Sequence, residues 1–221
     1  MKCTEPRPEG TTGELMKIKN IPSGPLMVNT YLVWDENTGK GFIVDPGGYD
    51  KRMTSSIAEE KIDIEYVILT HGHADHIGGV EQYLEEYPNA RLVASMLEKP
   101  LLANPALNTS REQLGRPVVL FPDIAVKDGD TMKIGNMELK FLSTPGHTPG
   151  GMCIQIGKVL FSGDTLFQAS VGRTDFPGGS MEDLVNSIRT KLFVLPDDTQ
   201  VFPGHMGYTN IGYEKEHNPF V

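Results

Sequence analysis

Cysteine is scarce: Cys3 and Cys153 are the only two in 221 residues, too few for a disulfide framework. Cys153, inside "GGMCIQI", reads as a small core residue, and Cys3 as part of a frayed tail. Positive charge is also short. Lys and Arg number 20 against 29 Asp and Glu, a net charge of −9, which disfavours general nucleic-acid binding. No apolar run is long enough to span a bilayer, and the opening "MKCTEPRPEGTTGE" lacks the apolar centre of a signal peptide. These absences leave the expectation of a cytoplasmic protein with neither membrane nor nucleic acid as partner. No short repeat and no low-complexity linker divides the chain. One domain over 15–221 is therefore expected, after a poorly ordered tail at 1–14.

What remains is a globular composition, 38% apolar and 22% charged, with enough length to bury a substantial core. Short apolar runs between turn signals predict strands at 15–21, 28–34, 41–44, 64–69, 90–94, 131–134, 137–142, 152–156, 158–162 and 199–202. Several lie too close together for βαβ units, so the strands should pair in mixed or antiparallel fashion. Helical periodicity predicts helices near 50–60, 77–87, 95–103 and 181–193. In the last, Ser180 can cap, with Asp183 three residues on, while Leu184, Val185, Ile188 and Leu192 share a face. Residues 104–123 look least regular and read as a loop or flap over a site.

The informative residues stand where apolar runs end. "GFIV" is followed by Asp45, and "YVILT" by His71, His73, Asp75 and His76. "ELKFLSTPG" leads to His147, "KVLFSG" to Asp164 and "TQVFPG" to His205. Strands lying side by side in similar directions would gather these ends into one polar rim, where sites in open sheets sit. Neutral imidazoles and carboxylates suit zinc, iron or manganese. In an extended H-x-H, His71 and His73 can point to one side, while Asp75 and His76 turn into a following helix and point elsewhere. One segment could then serve two metals, with glycines at 72, 146, 163 and 204 easing the turns. Asp45 reads as a partner that orients a ligand histidine, or as a turn residue before Pro46. His217 reads as solvated.

These motifs resemble those of the metallo-β-lactamase-fold hydrolases: "NTYLV" at 29–33, "VDPGG" at 44–48, "THGHADHIGG" at 70–79, "TPGHTPGG" at 144–151, "SGDTLF" at 162–167 and "FPGH" at 202–205. The resemblance implies an α/β fold, a four-layer αβ/βα sandwich of two mixed β-sheets flanked by helices. It implies two divalent metal ions, zinc first, with iron or manganese as alternatives. His71, His73 and His147 would hold one ion, and Asp75, His76 and His205 the other, with Asp164 bridging. Asp75 and Asp164 would orient the attacking hydroxide. Asp164 stands where zinc β-lactamases typically carry a cysteine, which points away from β-lactams. No nuclease domain interrupts the chain, which points away from RNA processing.

Within the superfamily, "GDTLFQASVGRTDFPGGSMEDL" (163–184) and "TNIGYEKEHNPF" (209–220) resemble glyoxalase II-like proteins. Arg173 falls where those carry a basic residue that contacts the glutathione carboxylate; its alternative is an ion pair with Asp175. Only 16 residues follow His205, so the C-terminal helical domain of a full glyoxalase II is expected to be missing. The reaction implied is hydrolysis of a thioester of a small thiol, with a lactone or other ester further down the order. "GRTDF" at 172–176 also resembles persulfide dioxygenases, which would use one iron on His71, His147 and Asp164. A non-enzymatic binding module is the third reading, and the complete set of seven candidate ligands argues against it.

Overall fold

The computed structural model describes residues 16–221; the expected tail and Cys3 lie outside the described residues. The first half runs β1 (Met16–Asn20), β2 (Tyr31–Asp35), β3 (Lys40–Val44), α1 (Lys51–Glu60), β4 (Asp63–Ile68), α2 (Ala74–Ile77), α3 (Val80–Glu86) and β5 (Arg91–Ser95). A 3₁₀ turn (Met96–Glu98), α4 (Lys99–Leu102), α5 (Ser110–Leu114) and β6 (Ile124–Val126) complete it. The second half runs β7 (Thr131–Ile134), β8 (Met137–Ser143), β9 (Met152–Ile156), β10 (Val159–Gly163), β11 (Leu166–Phe167) and β12 (Ser170–Val171). After these come α6 (Met181–Ser187), a π-helical turn (Ile188–Leu192), β13 (Gln200–Pro203), β14 (Thr209–Asn210) and α7 (Ile211–His217).

Among the described residues, twelve strands form two six-stranded sheets, ordered β1-β2-β3-β4-β5-β6 and β14-β13-β10-β9-β8-β7, and β11 and β12 pair separately. Both are mixed: β3 to β6 pair parallel and β1 to β3 antiparallel. In the second sheet only β10 and β13 pair parallel. Alternation along β2 shows the layering. Tyr31 and Val33 enter a core shared with Phe141, Ile154 and Phe161 of the second sheet. Leu32 and Trp34 face the other way, onto Met53 and Ile57 of α1 and Tyr83 of α3. A strand covered on both faces has no polar side, which is why these runs read as continuously apolar. Behind the second sheet, Cys153, Leu160 and Val201 meet Leu184, Ile188, Leu192 and Ile211. The order helix, sheet, sheet, helix is the expected αβ/βα sandwich.

Most expected elements are present, and the differences have local causes. Predicted helix 77–87 is two pieces, α2 and α3, separated at Gly78 and Gly79. Ser180 does cap α6, accepting from the Asp183 backbone N–H at 3.2 Å. The segment 104–123 is more regular than expected and is not a free flap. It contains α5, and it buries Asn108, Val118 and Leu120. The Asn108 carbonyl accepts from Ala74 N–H (2.8 Å), and its side-chain amide donates to the Val118 carbonyl (3.0 Å). The segment thus buttresses the histidine-rich loop. Helix α7 was hidden because Gly212 interrupts its first turn in sequence; Asn210 caps it by accepting from Tyr213 N–H.

Candidate metal centre

Strand direction decides where the polar ends meet. β3 and β4 are parallel. β8 runs against β9, which runs against β10, so β8, β10 and β13 share one direction. The five expected strand ends therefore form two groups, one per sheet, at one edge of the sandwich. Cross-sheet contacts join them: His147 Nε2 lies 3.2 Å from His71 Nε2 and 2.9 Å from His73 Nδ1. His205 Nε2 lies 3.1 Å from Asp75 Oδ2. Asp164 stands between the groups. Its Oδ1 is 3.3 Å from His76 Nε2, and its Oδ2 is 3.6 Å from His147 Nε2 and 3.8 Å from His205 Nε2.

Proton accounting shows what these atoms lack. The Arg173 carbonyl can only accept, so His147 Nδ1, 2.6 Å away, carries the proton and Nε2 presents a lone pair. The Thr70 hydroxyl donates to Asp45 Oδ2 at 2.6 Å, so at 3.2 Å it accepts from His71 Nδ1–H. His71 Nε2 is then also a lone pair, facing that of His147 at 3.2 Å. His76 Nδ1 donates to Asp45 Oδ2 (3.0 Å), turning its other nitrogen toward Asp164 and Asp75. Among the described residues, His73 Nε2, His76 Nε2 and Asp164 Oδ1 are buried without a hydrogen-bond partner of good geometry. Converging lone pairs repel unless a cation lies among them. Nitrogens sharing a tetrahedral ion at about 2.0–2.1 Å stand roughly 3.3 Å apart. His147 stands near that spacing from both His71 (3.2 Å) and His73 (2.9 Å), and the ligand atoms of Asp75, His76 and His205 form a second grouping that could hold an ion.

A family profile for the metallo-beta-lactamase superfamily matches residues 23–205, a span that takes in all of these groups. The chain belongs to the metallo-beta-lactamase superfamily. Within it, the chain is 38% identical to hydroxyacylglutathione hydrolase GloC of Haemophilus influenzae over 211 residues, covering 93% of this chain and 98% of that protein. Among solved structures, the BLEG-1 B3 metallo-beta-lactamase superposes with a TM-score of 0.85 at 36% identity, covering 92% of this chain and 99% of that one. TTHA1623 in a di-iron-bound form gives a TM-score of 0.80 at 31% identity, covering 92% and 100%.

Charge at the centre follows from burial and from which groups face one another. Burial, then neighbouring imidazoles, hold the His71 pKa well below its usual value and bring that of His73 down to about 3. Both rings therefore stay neutral, the form that can ligate. Burial opposes charge on His76, but Asp164, Asp75 and Asp45 outweigh it and raise its pKa well above the usual value. Burial pushes the Asp164 carboxyl up, yet the imidazoles of His76, His147 and His205 hold it well below the usual range. The grouping of Asp75, His76 and His205 is thus the more cation-seeking.

All seven candidate ligands converge. Asp45 turns the chain at φ +47°, and its carboxylate accepts from the Thr70 backbone N–H and from His76 Nδ1. Of the four glycines, Gly146 and Gly163 adopt positive φ, whereas Gly72 and Gly204 serve by lacking a side chain. A Cβ on Gly204 would sit 2.4 Å from Asp164 Oδ1. The Arg173 side chain pairs with Asp175 through two contacts of 2.7 and 2.6 Å and lies over the Phe176 ring. Phe176 in turn meets the His73 ring edge-on, so this pair borders the centre. His217 is exposed, stacked on Tyr213. Sequence reading gave no role to Asn29. Its N–H donates to the Gly204 carbonyl (2.8 Å), and its side-chain amide donates to the carbonyls of Pro203 and Met206 (3.0 Å each), bracketing His205. The only signal was an Asn just before an apolar run in "NTYLV". Among the described residues, no helix is long and apolar enough to cross a membrane.

Proposed function

We propose that the chain is a dinuclear metal-dependent hydrolase that cleaves a thioester of a small thiol. The observation that carries this reading is Asp164, whose two oxygens reach toward His76 on one side and His147 and His205 on the other. His71, His73 and His147 would hold the first ion and Asp75, His76 and His205 the second, with Asp164 placed to reach either. When bound, such ions lower the pKa of a shared water and polarise the substrate carbonyl. Asp75 and Asp164 accept hydrogen bonds from the attacking water and fix its orientation. Asp45 keeps the Nδ1 proton of His76, and the Arg173 carbonyl keeps that of His147, so both rings present their Nε2 atoms. The leaving thiolate is weakly basic, so no strong proton donor is required, and no serine or cysteine nucleophile is used. Arg173 is exposed, and its ion pair is of the weak surface kind. A substrate carboxylate can displace Asp175 and take the guanidinium in two-point contact.

The name of GloC supports the substrate class, since a hydroxyacylglutathione is a thioester of a small thiol. The name of BLEG-1 puts β-lactams beside it as compounds to assay. A second reading is a one-iron persulfide dioxygenase. It is favoured by the two histidines and one carboxylate that converge at His71, His147 and Asp164 (3.2 and 3.6 Å). The deciding experiment offers the metal-loaded chain an S-acylglutathione, a chromogenic cephalosporin, and a glutathione persulfide with oxygen uptake followed. Thioester cleavage well above the other two activities is expected. Oxygen uptake on the persulfide without thioester cleavage overturns the hydrolase reading.

A further inference from the structure

One buried acid near the rim belongs to neither ligand group. Glu98 closes the 3₁₀ turn after β5 and is 1% exposed. Among the described residues its carboxylate has no cationic partner within salt-bridge distance. Instead it collects donors from two loops that are far apart in sequence. Oε1 accepts from the backbone N–H of Gly72 (2.9 Å), which stands between His71 and His73. Oε2 accepts from the Thr148 hydroxyl (3.2 Å), next to His147, and the carboxylate also accepts from Gly150 N–H. Gly150 lets it come this close, because a Cβ there would lie 2.3 Å from Glu98 Oε2. A buried acid is costly unless its lone pairs are filled, and here they are filled by donors adjoining all three histidines of one ligand group.

The geometry points to Glu98 as the positioning residue that sets the separation of the H-x-H loop from the His147 loop, and hence the affinity of the first metal position. It is a joint for the His71, His73 and His147 group only: none of its partners adjoins Asp75, His76 or His205. The inference rests on the two-metal reading above. A glutamine is the same shape, but its NH₂ would face a backbone N–H, donor against donor. The predicted failure is therefore one of loop spacing at that group.

The test measures Zn²⁺ affinity by chelator competition in two backgrounds. His205→Ala keeps the first group intact, and His73→Ala keeps the second. Adding Glu98→Gln should weaken Zn²⁺ binding roughly 10- to 100-fold in His205→Ala and less than about twofold in His73→Ala. An equal loss in both backgrounds, or a lower Tm with both affinities unchanged, makes Glu98 merely structural and overturns the inference. Should Glu98→Gln fail to fold, Thr148→Val removes one donor and keeps the carboxylate. A loss confined to the His205→Ala background then supports the inference, and no loss overturns it. Absence of Zn²⁺ uptake by the unmodified chain would instead defeat the metal reading itself, so the two failures are distinguishable.

Discussion

At the residue scale, the two ligand groups differ in what they do with protons. His73 is brought down to about 3 and His71 is also lowered, so at neutral pH neither gives up a proton to a metal. His76 is raised above its ordinary 6.5 and does. Zn²⁺ uptake at pH 7 is therefore expected to displace the His76 proton. A weakly buffered indicator titration of the His205→Ala and His73→Ala variants checks this: more protons should be released per ion bound in His73→Ala, where the second group is intact. Linkage follows the same signs in the metal-free chain. Unfolded imidazoles protonate below about 6.5. The contribution of His71 and His73 is thus present above that pH and is lost as pH falls toward the lowered folded values. The contribution of His76 is present below about 6.5 and is lost as pH rises through its raised value. Cys153 lies away from this chemistry, fully buried, with burial pushing its thiol up to about 11. In a Cys3→Ser background it should resist alkylation at pH 8 in the folded chain and react once denatured; rapid labelling of Cys153 in the folded protein would contradict the core placement.

At the element scale, loops are held to strands by specific donors, and these set which changes matter. Asn29→Ala removes the donor for the carbonyls on either side of His205. An expected loss of about 1–3 kcal/mol in chemical denaturation should come with weaker Zn²⁺ binding in the His73→Ala background. Unchanged affinity there would mean that the His205 loop holds itself. Leu184→Ala, in the fully buried helix face behind the second sheet, should cost about 2–5 kcal/mol without altering metal content. The central strands and α6 were legible in sequence because apolar runs and a serine cap are local signals. Strand β6 and helix α5 were not, since both lie in or beside 104–123, where the order comes from Asn108 and Val118 reaching the core. The seven candidate ligands were visible because each follows an apolar run. Glu98 and Asn29 were not, because their partners are backbone groups far away in sequence, which no motif spacing reveals.

At the scale of the whole molecule, the sandwich matters because both sheets aim their strand ends at one edge. Asp164, just past β10, is within 4 Å of residues from both groups. Replacing it with asparagine keeps the shape and removes the charge between the groups. Asp164→Asn should lower thioester turnover by more than the roughly 10- to 100-fold typical for losing a neighbour of a ligand, with the fold retained by circular dichroism. The most direct test of the dinuclear claim is the number of Zn²⁺ ions retained per chain after saturation and removal of free metal, measured by elemental analysis. Two ions per chain are expected for the unmodified protein and fewer for Asp164→Asn. One ion per chain in the unmodified protein, with no change on Asp164→Asn, would contradict the claim.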